Sequence, residues 1–251
     1  EEREISAFSR NFFVSPIIGL LIGIVAVIVG LAFDSATLIL MTPVAIIATI
    51  FIASKFLHFD GLVDFGDGMV ASGSREKSVS ALKDTRIGAG GIGIALIVTA
   101  STVALLYDQW GGFVAAAAIV IMEVFAKNTM VSAAVFGESG TGMASEQVGN
   151  SNMTTLILST VLSAGLAFGG YLLMGLLMAV IGIPGMLSSV IMIPAVATIA
   201  VAAGLSIAIG WFIAFVSNNK FGFVNGDVLG AANEIFRVPL LIMVALVLMI
   251  L

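Results

Sequence analysis

LHFDGLVDFGDG, residues 57–68, holds three aspartates and the chain's single histidine within ten residues. It follows directly on TPVAIIATIFIASKF, residues 42–56, a run without a single acid. An apolar segment that ends abruptly in carboxylates has the signature of a chain leaving a membrane. The rest of the sequence agrees. Its 251 residues are 60% hydrophobic and only 10% charged, with a mean hydropathy of +1.18, well outside the range of soluble globular domains. Because a helix needs about 20 apolar residues to cross a bilayer, there is room for about seven spans. The reading is therefore an all-α, polytopic integral membrane protein, built as one transmembrane domain over residues 1–251.

Apolar runs mark spans near 12–33, 36–59, 89–107, 111–136, 154–182, 186–216 and 236–251. Pro184 and Pro194 fall at the boundary of the sixth run and inside it. The mixed-charge first eleven residues do not read as a cleaved signal peptide. If spans alternate in direction, the N-terminal segment and loops 60–88, 137–153 and 217–235 lie on one face. Basic residues such as Lys55, Arg75, Lys83, Arg86, Lys220 and Arg237 then fall on that face or at its membrane edge, and the opposite loops carry only Asp34 and Asp108. The positive-inside rule makes the basic face cytoplasmic, and the expected location is the cell membrane. Odd span number puts the C-terminus outside. Absence of cysteine excludes disulfides, thiolate metal sites and iron–sulfur clusters, so a metal would be held by oxygen or by His58. That favours a hard cation, Mg²⁺ or Mn²⁺. No basic footprint for nucleic acid is present.

Asp60, Asp64 and Asp67 follow an i, i+4, i+7 spacing, which puts three carboxylates on one stripe of a helix. Like charges so placed repel and destabilise an isolated helix. Cations between the carboxylates would offset that repulsion, and Mg²⁺ suits one or two carboxylates plus phosphate oxygens. The plain alternative is an acidic, solvated loop, although Gly61, Gly66 and Gly68 are poor choices for an exposed helix. His58 beside the first aspartate is either a general base or metal neighbour, or an interfacial residue.

Farther on, LKDTRIGAGGIG, residues 82–93, places Lys83, Asp84 and Arg86 just ahead of a glycine-rich helix start. Free N–H groups at such a start are a phosphate site, with Arg86 forking onto a phosphate and Lys83 acting as a point charge. Both cations are alternatively anchors for a span. Gly88, Gly90 and Gly93 spell G-x-G-x-x-G, but no βαβ unit surrounds them, and a dinucleotide fold is rejected. Glu123, Lys127 and Asn128 sit inside the fourth run, where the i, i+4 spacing lets Glu123 pair with Lys127, either for function or as a structural tie. Asp227, in NGDVLGAANE (225–234), is a further acid or simply a helix N-cap.

HFDGLVDFGDG (58–68), followed by SREKSVSALKDTRIGAGGIG (74–93), resembles the paired signature of the cobalamin synthase family, the adenosylcobinamide-GDP ribazoletransferases. SPIIGLLIG (15–23), EVFAKNTM (123–130) and NGDVLGAANE support the resemblance, which spans most of the chain. Lys127 stands where the family has arginine, and FGESGTGM (136–143) lacks a basic residue that the family carries before its glycines. The resemblance implies a Mg²⁺-dependent membrane transferase that joins α-ribazole, or its 5′-phosphate, to adenosylcobinamide-GDP with release of GMP. Implied partners are these corrinoid and nucleoside substrates and the lipid bilayer, and the sequence leaves a homo-oligomer open. On this basis Asp60, Asp64 and Asp67 are expected to bind Mg²⁺, with Asp84 as a further ligand or as the base alongside His58 and Asp64. Lys83 and Arg86 would neutralise a diphosphate, while Glu123, Lys127, Asn128 and Asp227 would face the substrate or support those that do.

Two other classes share some of these features. A CDP-alcohol phosphotransferase requires Ala-Arg soon after its first Asp-Gly, where this chain has Leu62-Val63-Asp64. A cation-coupled transporter would explain Glu123, but transporters gather their ionisable groups at the bilayer midplane, and here nine charged residues fall between 60 and 88.

Overall fold

The computed structural model describes residues 8–36, 38–142, 144–180 and 189–250. Ten α-helices lie among the described residues: α1 (Ser15–Ser35), α2 (Thr42–Ala53), α3 (Leu57–Val70), α4 (Arg75–Leu82), α5 (Ala89–Gln109), α6 (Gly112–Phe136), α7 (Ser145–Asn150), α8 (Met153–Val180), α9 (Ser189–Lys220) and α10 (Gly226–Ile250). There is no strand among them, only an isolated bridge between Ser139 and Val224. Proline stands in the first turn of α1 and of α2, where its missing N–H leaves no helical bond unmade. Six helices are long and apolar enough to cross a membrane, and the bent pair of α2 and α3 makes a seventh if it counts as one span. The chain is a multi-pass, all-α membrane protein.

The axis of the bundle is α6. Its run of alanines and other small residues admits close neighbours, and α1, α8, α9 and α10 all pack on it. Between lipid-embedded helices, close backbone approach and polar contacts replace the hydrophobic effect as the cohesive force. On α1, a Cβ at Gly23 would stand 3.0 Å from the Val120 Cα, and one at Gly19 would collide with the Glu123 carbonyl. Gly210 of α9 lies equally close to Ser132, where a Cβ would come within 2.5 Å of the serine Cβ.

The second expected span, 36–59, ends sooner than the sequence suggests. Helix α2 stops at Ala53, and the helical segment 39–53 meets α3 at 92°. Lys55 and Phe56 make that elbow with φ of 52° and 61°, a left-handed conformation that non-glycine residues seldom adopt. Past the elbow, the acidic stretch is a continuous helix lying across the end of the bundle, with Leu62 and Phe65 buried beneath it.

The last expected span also needs correction. Polar residues suggest a loop over 217–235, but α9 runs on to Lys220 and α10 begins at Gly226, so the loop shrinks to a few residues. Arg237 therefore lies within a helix and is buried, 1% exposed, and is not at a membrane edge. Pro184, Arg3 and the start of the sixth expected span fall outside the described residues.

Candidate active site

Helix α3 presents Asp60, Asp64 and Asp67 from one face, as their spacing requires. What the sequence leaves puzzling, the glycines between them, is explained by neighbours on either side. A Cβ on Gly61 would stand 2.8 Å from the Asp227 carbonyl oxygen, and one on Gly66 would stand 3.0 Å from the Gly91 Cα. Glycine thus lets α10 and α5 close against α3. Through Gly61, the start of α10 brings Asp227 to the acidic stripe, where it acts electrostatically on Asp64 together with Asp60 and Asp67. Asp227 is not the cap of α10. Asn225 holds that place, accepting the Val228 N–H at 3.2 Å and donating to the Asp227 carboxylate at 2.7 Å.

Asp67 differs from the other acids. Its two oxygens accept the N–H groups of Gly88 and Gly91, each at 2.7 Å, at the start of α5. The helix start that the sequence suggests as a phosphate cradle is therefore filled by the protein's own carboxylate, which satisfies the dipole and ties α3 to α5. These two bonds give Asp67 a structural duty at the glycine-rich segment. Asp84 is engaged as well. It stands in an exposed pair with Arg86, accepting the backbone N–H at 3.0 Å and the guanidinium at 2.9 and 3.1 Å. These bonds hold its carboxyl down at about 2, which makes it a poor proton acceptor near neutrality. Lys83, also exposed, donates to Thr141 at 3.4 Å and lies 5.4 Å from the centre of the Phe223 ring.

Between the starts of α3 and α10 and loop 137–144 lies a cavity of about 500 Å³, with His58, Asp60, Asn225, Asp227 and Thr141 in its wall. The N-terminal segment and the three loops that alternating spans assign to one face thus meet around one hollow. Three carboxylates in this region, Asp60, Asp64 and Asp227, have no ion-pair partner among the described residues. All their donors are hard oxygen, which suits Mg²⁺. Among the described residues no group of three or more His, Asp or Glu side chains converges tightly enough to enclose a metal.

The fourth-run residues belong to a separate, buried network. Glu123 receives Arg237 Nε at 2.8 Å, Arg237 also bonds Glu234, and Asn233 donates to Glu234 at 3.1 Å. Lys127 donates to Asn233 at 2.7 Å, so the expected i, i+4 tie to Glu123 is replaced by a tie between α6 and α10. Asn128 joins Thr160 on α8 at 3.1 Å and Ser206 on α9 at 2.9 Å. Glu123 and Asn128 are fully buried and absent from the acidic cavity, so their expected contact with substrate gives way to holding helices together. Lys127 lines a second hollow of about 320 Å³, which shares His58 with the first. Sequence reasoning misses Glu234 and Asn233 as network members because it places them in a loop. The i, i+3 spacing of Glu234 and Arg237 is the signal available.

A family model described as cobalamin-5-phosphate synthase matches residues 1–246. Among similar proteins, the adenosylcobinamide-GDP ribazoletransferase of Methanocella arvoryzae is 34% identical over 237 residues, covering 91% of this chain and 81% of the relative. That of Methanococcoides burtonii is 30% identical over 242 residues, covering 91% and 78%. The protein of the same name from Methanosarcina mazei is 29% identical over 253 residues, covering 94% and 80%. No solved structure is a significant match. With the family model spanning nearly the whole chain, the chain belongs to the cobalamin-5-phosphate synthase family.

Proposed function

We propose that the protein is an adenosylcobinamide-GDP ribazoletransferase, joining α-ribazole or its 5′-phosphate to adenosylcobinamide-GDP and releasing GMP. The observation that carries this reading is the meeting of Asp60, Asp64 and Asp227, without ion-pair partners among the described residues, beside a cavity of nucleoside size. Carboxylates left without cations at such a place have a use if the substrate arrives with phosphates and divalent ions. Mg²⁺, when bound there, would offset the charge of the diphosphate and of the departing GMP.

The chain's own groups supply positioning and proton transfer. Asp60, Asp64 and Asp227 fix where the diphosphate rests. Lys83, exposed and acting electrostatically on Asp227, and Arg86, exposed two residues beyond Asp84, draw it in and balance its charge. His58, in the cavity wall next to Asp60, takes the proton of the attacking ribazole hydroxyl. An O–P bond forms from that hydroxyl to the corrinoid-linked phosphorus, the bond from this phosphorus to the GMP oxygen breaks, and GMP leaves with the electron pair. The distribution of Lys and Arg supports a site that opens to the cytoplasm from the cell membrane, where both substrates are met.

The test is GMP release by detergent-solubilised protein supplied with adenosylcobinamide-GDP, α-ribazole and Mg²⁺. Release that needs both substrates and stops with chelator supports the reading; no release under any of these conditions removes it. Turnover in detergent also excludes gradient-driven transport.

A further inference from the structure

Acids and aromatic rings both line the cavity. Acids enter it from the facing starts of α3 and α10, whereas Phe8 and Phe12 enter from the segment before α1, which packs against α6 and α8. The two rings meet edge to face with centroids 5.8 Å apart. Leu57 at the start of α3 and Met130 on α6 also line it, and none of these four side chains offers a strong hydrogen-bonding group. At about 500 Å³ the cavity lies within the range of drug-sized ligands. It has room for a nucleoside, and a corrin ring with its side chains is several times too large.

Granting the transferase reading above, two flat bases compete for this wall. Guanine carries an amino group and a ring N–H that an apolar wall would leave without acceptors, at a substantial desolvation cost. The dimethylbenzimidazole of α-ribazole has no N–H donor and two methyl groups. We infer that the Phe8–Phe12 wall is the subsite for the base of α-ribazole, so that the nucleoside enters the cavity and the corrinoid stays outside it. The ribose then extends from the aromatic wall toward His58 and Asp60.

The experiment measures KM separately for each substrate in Phe8→Ala, with Phe8→Tyr as the ring-retaining control. Loss of one stacking ring should raise KM for α-ribazole about tenfold, leave KM for adenosylcobinamide-GDP nearly unchanged, and be restored by tyrosine. If the alanine variant does not fold, Phe8→Leu, which fills the space without a ring, should show the same selective rise. A shift in KM for the corrinoid nucleotide instead, or in neither, overturns the inference. Failure of the unsubstituted protein to turn over at all would instead remove the transferase reading, so the two failures are distinguishable.

Discussion

Two clusters of charge share this molecule and differ in one respect, whether their carboxylates have partners. Under the elbow of α2 and α3, Glu123 and Glu234 face Arg237, and Lys127 and Asn233 complete the set, so acids and bases balance in a sealed interior. A few turns away, Asp60, Asp64 and Asp227 crowd together with no cation paired to them among the described residues. Buried ions survive only when paired, so the first cluster explains itself as the clasp between α6 and α10. The second has no ion pair among the described residues, only the electrostatic effect of Lys83 on Asp227, and on the proposed reading a divalent ion would supply the charge. The clasp also serves the open cluster, because it seats α10, whose first turn carries Asp227.

Substitutions in either cluster can erase this contrast. The largest expected effect is on the clasp. Arg237→Met leaves Glu123 and Glu234 buried without a counter-charge and should cost about 3–5 kcal/mol of stability, read as a lower unfolding temperature in detergent. An unchanged transition would mean that the network is not a clasp. Next comes Asp64→Asn, which should lower GMP release about 100-fold while leaving the unfolding temperature near that of the unsubstituted protein. Activity near the original rate would take the central role from this carboxylate.

A smaller effect is expected where the clusters are joined. Gly61→Ala pushes a methyl group against the Asp227 backbone and should cost about 1–3 kcal/mol, with loss of activity as Asp227 moves off the stripe. Full activity would show that Asp227 does not need to approach α3. The smallest effect is at Asp67, whose work is done within the protein. Asp67→Ala strips two N–H groups at the start of α5 of their acceptor and should cost roughly 1 kcal/mol. A far larger loss of activity than of stability there would return Asp67 to the metal-binding set.

Most of the fold is legible in the sequence because hydropathy reports the environment of each residue directly, and the long apolar runs of α1, α5 and α8 carry almost no charge. The elbow at Lys55 and Phe56 is not, since apolar residues continue through Phe56 and Leu57 and the turn depends on backbone angles that neither residue favours. Nor is the early start of α10, where Asn225, Asp227, Asn233 and Glu234 look like a polar loop but form a capped helix whose polar groups find partners inside. At the site, the stripe of aspartates is legible because its spacing matches the helical repeat. Which of them carry free charge is not, since Asp67 and Asp84 are engaged by Gly88, Gly91 and Arg86, contacts whose geometry the sequence does not state.

On the proposed reading, the acids of the open cluster take up a divalent ion together with the substrate diphosphate. Electron paramagnetic resonance of Mn²⁺, with adenosylcobinamide-GDP present, reads this ion in the unsubstituted protein and in Asp64→Asn. Bound Mn²⁺ is expected in the former and affinity at least about tenfold weaker in the latter; equal binding by both proteins would contradict the assignment of these carboxylates to the metal.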